Sequence, residues 1–108
     1  VGQTNFTALG LKAKGKTDQT LFSEVINATT TFDPASLSTY NGVTSSAITV
    51  TGAALGDFVI VAAPYDRAGV IADGYVTATN TVKITLFNAT GGTVDLASGT
   101  WKIKVLKG

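Results

Sequence analysis

Apolar and polar residues alternate most clearly toward the end of the chain. Val82, Ile84 and Leu86 take turns with Lys83, Thr85 and Phe87, and Trp101, Ile103 and Val105 take turns with Lys102 and Lys104. A period of two belongs to a strand with one buried face. The spacing therefore predicts two strands covering the same core, with Trp101 inside. Phe87 falls on the polar face, where it is either an exposed aromatic contact or the mark of a register change through a bulge near Asn88. Between the two segments, Asn88-Ala89-Thr90-Gly91-Gly92 reads as the turn that joins them, with Gly91 and Gly92 supplying backbone freedom.

The earlier segments carry weaker versions of the same signal. Leu21 to Phe32 is rich in β-branched residues and predicts a strand. Asp33 is suited to cap backbone donors and Pro34 presets the first helical φ, so residues 33–37 predict one short helical turn. Tyr40-Asn41-Gly42-Val43 predicts a turn, because Asn41 and Gly42 are of types that tolerate positive φ. Ala47 to Thr51 alternates and predicts a half-buried strand, after which Gly52 to Asp57 breaks the pattern. The continuous apolar run from Phe58 to Ala63 predicts a strand covered on both faces. Val70 to Thr79 predicts a strand interrupted at Asp73-Gly74, and Thr79-Asn80 a corner.

At the N-terminus, an extended backbone sets Leu11, Ala13 and Gly15 on one face and Lys12, Lys14 and Lys16 on the other. Two readings stay open. The segment is an edge strand whose lysines block unwanted pairing, or a contact arm lying on a partner, a role better motivated for Phe6, Leu9 and Leu11 than for the lysines.

Many short strands between turn signals, with no long amphipathic helix, predict an all-β protein: an antiparallel sandwich or barrel. The expected division is an N-terminal arm or edge strand over residues 1–20 and a β domain over 21–108. A chain of 108 residues suits one domain, able to bury roughly two-thirds of its unfolded surface. With 44% apolar and 14% charged residues, its composition is that of a folded protein.

Composition also narrows the chemistry. The chain has no Cys and no His, so neither a Ser-His-Asp nor a Cys-His nucleophile can be assembled, and zinc would need an all-carboxylate shell. No enzyme, no metal and no cofactor is expected. The longest apolar run, Phe58 to Pro64, falls far short of the roughly 20 residues of a membrane-spanning helix, so no membrane partner is expected either. A net charge of +1, with scattered lysines, gives no pull toward nucleic acid and little self-repulsion between copies.

Several local patterns have bland explanations. Asn5-Phe6-Thr7, Asn27-Ala28-Thr29 and Asn88-Ala89-Thr90 match the glycan acceptor triplet, as chance permits in a chain rich in Asn and Thr. Gly52-x-x-x-Gly56 lacks the Lys-Ser/Thr of a phosphate loop. Asp57, Asp66, Asp73 and Asp95 sit beside expected loops, where a carboxylate pair such as Asp57 and Asp73 would suit a glycosidase and a cluster a structural Ca²⁺ ion, yet no spacing matches a Ca²⁺ loop. Tyr40, Tyr65, Tyr75 and Phe87 would serve a sugar-binding face if they shared one.

The order Asp33-Pro34-Ala35-Ser36-Leu37, Ala47 through Val59, Gly74-Tyr75-Val76-Thr77-Ala78 with Asn80 to Ile84, and Phe87 through Trp101 resembles a family of small structural proteins of tailed bacteriophages. These occur as capsid decoration, or cement, proteins and as modules of other virion proteins. The similarity covers about residues 33–107 and rests on turn and core positions. It implies a jelly-roll-like β-sandwich, often a homotrimer, seated on the major capsid protein lattice at the outer surface of the head after synthesis in the host cytoplasm. It carries over no catalytic residue. Within that reading the contact residues are Phe6, Leu9, Leu11, Lys12, Lys14, Lys16 and Phe87. The alternative reading is a tail-fibre or tail-tip module binding host surface glycans.

Overall fold

The computed structural model describes residues 4–6, 9–12 and 18–22 as strand backbone, and residues 24–107 in full. The strands are β1 (Thr4–Phe6), β2 (Leu9–Lys12), β3 (Asp18–Phe22), β4 (Glu24–Phe32), β5 (Gly42–Thr44), β6 (Ile48–Thr49), β7 (Phe58–Ala62), β8 (Val70–Ala78), β9 (Thr81–Asn88) and β10 (Gly99–Lys107). Among the described residues there is no helix. Every strand pairing is antiparallel.

One sheet runs β1-β4-β10-β7, while β5 and β6 share one edge of β9 and β8 takes its other edge. β2 and β3 pair with each other in a separate two-stranded sheet. The β9 and β10 alternation appears as expected: Val82, Ile84 and Leu86 from one sheet and Trp101, Ile103 and Val105 from the other lie in a single buried cluster. Ile26 and Ala28 of β4 join it beside Val105 and Ile103, their register partners. Two antiparallel sheets thus enclose one core in the manner of a β-sandwich.

Trp101 is the largest fully buried side chain. Phe32 and Tyr65 meet it edge-on, with ring centroids 5.6 Å and 6.1 Å away, the geometry that aromatic quadrupoles favour. Its indole N–H donates to the Tyr65 hydroxyl at 3.3 Å, and that hydroxyl donates to the Ala97 carbonyl at 2.6 Å. The polar edge of the ring is therefore satisfied inside the core.

The structure corrects four local expectations. Residues 33–36 form no helical turn, because Leu37 pairs in both directions with Val94 at 2.8 Å and lies buried with Pro34. Those tertiary bonds need an extended backbone and override the local helix-start signal. In the 38–41 turn the positive φ belongs to Tyr40 (61°), since the Asn41 N–H closes the turn onto the Ser38 carbonyl and places Tyr40 at its third position. β8 runs unbroken through Asp73-Gly74. Gly74 is present there for space: a Cβ would stand 2.6 Å and 2.7 Å from the Cγ1 atoms of Val59 and Val61 where β8 crosses β7.

The fourth correction concerns residues 88–98. β9 and β10 belong to different sheets, so this segment is a crossover between sheets. Gly91 and Gly92 are absent from the positive-φ positions and open onto space. The organising residue is Asn88, which continues the inward phase of Val82, Ile84 and Leu86 and is fully buried. Its amide donates to the Leu37 carbonyl at 2.9 Å and the Gly92 carbonyl at 2.8 Å. Its side-chain oxygen accepts from the Thr90 N–H at 2.9 Å and the Thr90 hydroxyl at 2.6 Å.

Two outcomes follow from this packing. Gly74→Ala is expected to lower the stability measured by urea unfolding by about 1–3 kcal/mol through overpacking, and adding Val59→Ala should recover part of the loss. Asn88→Ala is expected to cost about 2–4 kcal/mol, since it removes four hydrogen bonds and leaves a void. Thr90→Ala, which keeps the Asn88 amide donors, should cost about 1 kcal/mol in the same assay.

Candidate functional site

Strand alternation sends every second side chain away from the core, and on two sheets these outward positions hold large apolar residues. On β9 the outward series is Thr81, Lys83, Thr85 and Phe87. Phe87 is 40% exposed and stands opposite Ile71 of β8, itself 55% exposed, and opposite Gly42 of β5. A Cβ on Gly42 would lie 3.6 Å from the Phe87 ring, so the ring sits beside the glycine, which itself stays exposed. No register shift occurs at Asn88. Of the two readings of Phe87, the structure shows the exposed aromatic.

The second face lies outside the sheet of β4, β10 and β7. Cross-strand register sets three rows on it: Val25-Leu106-Phe58, Asn27-Lys104-Ile60 and Thr29-Lys102-Ala62. The first row is wholly apolar. Val25 and Leu106 are buried or half-buried, whereas Phe58 is 67% and Ile60 54% exposed. The expectation of a strand covered on both faces is thus wrong for Phe58 to Ala63. Among the described residues β7 is paired with β10 alone, and of this segment Val59, Val61 and Ala63 pack against the core. A shallow depression of about 290 Å³ lies on this face, bordered by Asn27, Thr29, Ile60, Ala62, Lys102 and Lys104.

Of the remaining contact residues, Leu9, Leu11 and Lys12 fall on β2, opposite Phe22, Gln19 and Asp18 of β3. Their side chains, and that of Phe6, lie outside the described residues, as do Lys14 and Lys16 entirely.

The polar groups elsewhere serve the scaffold. Asp57 pairs with Lys107 at 2.5 Å and accepts from the Ala54 N–H at 2.9 Å. Asp66 accepts from Ala68 N–H and Asp73 from Gly74 N–H, both at 2.9 Å. Among the described residues no group of three His, Cys, Asp or Glu side chains stands close enough to hold a metal ion. Asn88, one of the three triplet asparagines, has its amide enclosed and fully bonded, so it is no glycan acceptor in the folded state. Of the four aromatics considered for sugar stacking, Tyr65 is held against Trp101. Tyr75 and Phe87 stand four registers apart along the β8–β9 ladder, about 13 Å at strand rise.

Phe58, Ile60 and Ile71 are the surface residues that pattern reading misses. In β7 the outward residues are as apolar as the inward ones, so no alternation marks which face is bare. Compared with protein-family models, with curated proteins and with solved structures, the chain matches none.

Because Phe58 and Ile60 make their outward contacts with solvent, Phe58→Ser and Ile60→Ser are each expected to change the unfolding free energy by no more than about 0.5 kcal/mol. Trp101→Ala should cost about 3–5 kcal/mol in the same urea titration. A loss at Phe58 comparable to that at Trp101 would show that its ring belongs to the core.

Proposed function

We propose that this chain is a structural protein of a tailed-phage virion: a decoration, or cement, protein that binds the major capsid protein lattice on the outer surface of the head and stabilises it. The observation that carries this reading is the pair of outward sheet faces bearing exposed Phe58, Ile60, Ile71 and Phe87 on a scaffold whose described buried side-chain polar atoms are all hydrogen-bonded. Exposed apolar patches of this kind mark interaction surfaces. A satisfied interior holds them at fixed positions.

The resemblance of residues 33–107 to virion proteins supports the same reading, together with the jelly-roll connectivity and the arm over residues 1–20 that it implies. A paired strand such as β2–β3 is only marginally stable alone in water and gains stability by lying on a neighbour. Stabilising a head requires buried area across capsomer joints and no reaction. A homotrimer engaging a repeating lattice multiplies weak contacts through effective concentration, so each copy can bind modestly. A net charge of +1 lets copies approach one another without strong repulsion.

The test is addition of purified protein to heads that lack it. Saturable binding, a trimer by light scattering and a rise in the temperature at which the heads release DNA are the expected results. A strict monomer that leaves heads unbound and their release temperature unchanged overturns the reading.

A further inference from the structure

The two outward faces differ in charge, and the difference points to what one of them binds. On β4, β10 and β7 the outward positions include Lys102 and Lys104 and no Asp or Glu. The chain as a whole balances 8 basic against 7 acidic residues, so this face concentrates positive charge that the remainder of the molecule offsets. The two lysines are about 7 Å apart along β10 and border the depression beside Ile60 and Ala62. Lys104 donates to the Asn27 side-chain oxygen at 2.6 Å, a neutral partner that orients the ammonium and leaves its charge uncompensated. Among the described residues neither lysine has an ion-pair partner, in contrast to Lys107, which meets Asp57.

From this placement we infer that the outer face of β4, β10 and β7 is the docking surface for a protein partner that presents an apolar side chain flanked by carboxylates. The apolar side chain enters the depression beside Ile60 and Ala62, with Phe58 in the adjoining row, and the carboxylates meet Lys102 and Lys104. The inference rests on the proposed function, in which that partner surface belongs to the capsid lattice. Charge complementarity decides among the possible occupants. A second copy docking by the same face would oppose lysine to lysine. The Ile71–Phe87 face of a second copy offers Asp73 but also Lys83, and so has no net complementary charge. Nucleic acid would leave Phe58, Ile60 and Leu106 unused, and two lysines are too few for a phosphate-tracking surface. An apolar, acid-flanked protein surface uses both halves of the face.

Two measurements test this. The first titrates the chain with 1-anilinonaphthalene-8-sulfonate, an apolar anion that carries the partner's chemistry in small form. Its binding is expected to weaken about tenfold or more in Lys102→Glu/Lys104→Glu and in Phe58→Ser/Ile60→Ser, and to persist in Ile71→Ser/Phe87→Ser. Equal binding by all three variants and the parent overturns the inference. The second measures co-sedimentation with heads lacking the protein. The same two variants should lose binding about tenfold or more, and binding by the parent chain should weaken as salt rises. Retained head binding by both variants also overturns the inference. If the parent chain binds the dye as described but binds no heads, the proposed function falls while the chemistry of the face stands. Matching urea midpoints for all variants ensure that binding, and not folding, is compared.

Discussion

The side chain of Asn88 holds together parts of the chain that are far apart in sequence. Its amide and carbonyl reach Leu37, Gly92 and Thr90, while its own backbone accepts from the Tyr40 N–H at 2.7 Å and donates to the Asn41 carbonyl at 2.9 Å. The 33–41 connection, the end of β9 and the crossover to β10 thus converge on one residue. In a low-dielectric interior an amide with a missing partner is costly, whereas one with all its partners selects a single arrangement. The bridge between Leu37 and Val94 lies beside it, so the extended path of residues 33–37 and the exit of the chain toward β10 are set together. Without that clamp, the outward face of β9 would lose its fixed end, and Phe87 is the residue immediately before it.

What could be read from the sequence divides along physical lines. A strand with chemically different faces announces itself, and the alternation of β9 and β10 correctly assigned Trp101, Ile103 and Val105 to the core. The Thr79-Asn80 corner was legible for a similar reason: Asn80 takes φ of 61°, and Asn tolerates that conformation better than most residues. Features that depend on distant partners were not legible. Residues 33–37 carry a sound local helix-start signal, but Leu37 bonds to Val94, 57 residues later, and no local rule contains that bond. Gly74 resembles half of a turn pair until Val59 and Val61 are found against it. Tyr40 takes a backbone conformation that its own residue type disfavours, held by the turn around it.

The surface was harder to read than the core, and β7 shows why. Burial leaves a pattern only when exposure selects polar residues. Phe58-Val59-Ile60-Val61-Ala62 is apolar on both sides, and a strand that looks covered is in fact an edge strand with two large side chains in solvent. Edge strands in isolated proteins are usually blunted by charge, proline or a bulge. β7 has none of these within its five residues, and its lysines sit one strand inward on β10. A bare apolar edge beside a row of cations is a poor design for a chain that stays alone. On the proposed reading, a partner surface covers it.

Phe87 illustrates the same logic from the opposite sheet. Its place on the polar face of β9 made it conspicuous in sequence, and its neighbours Ile71 and Gly42 explain how it is tolerated there. The ring lies beside Gly42 and pairs with Ile71, so part of its area is spent within the protein. It is correspondingly less exposed than Phe58, 40% against 67%. An aromatic packed against its own sheet gains less from a partner than one that projects into solvent, because less apolar area remains to be removed from water. By that measure Phe58 on β7, whose outward face the sequence pattern concealed, offers more apolar area to the proposed partner than Phe87 does.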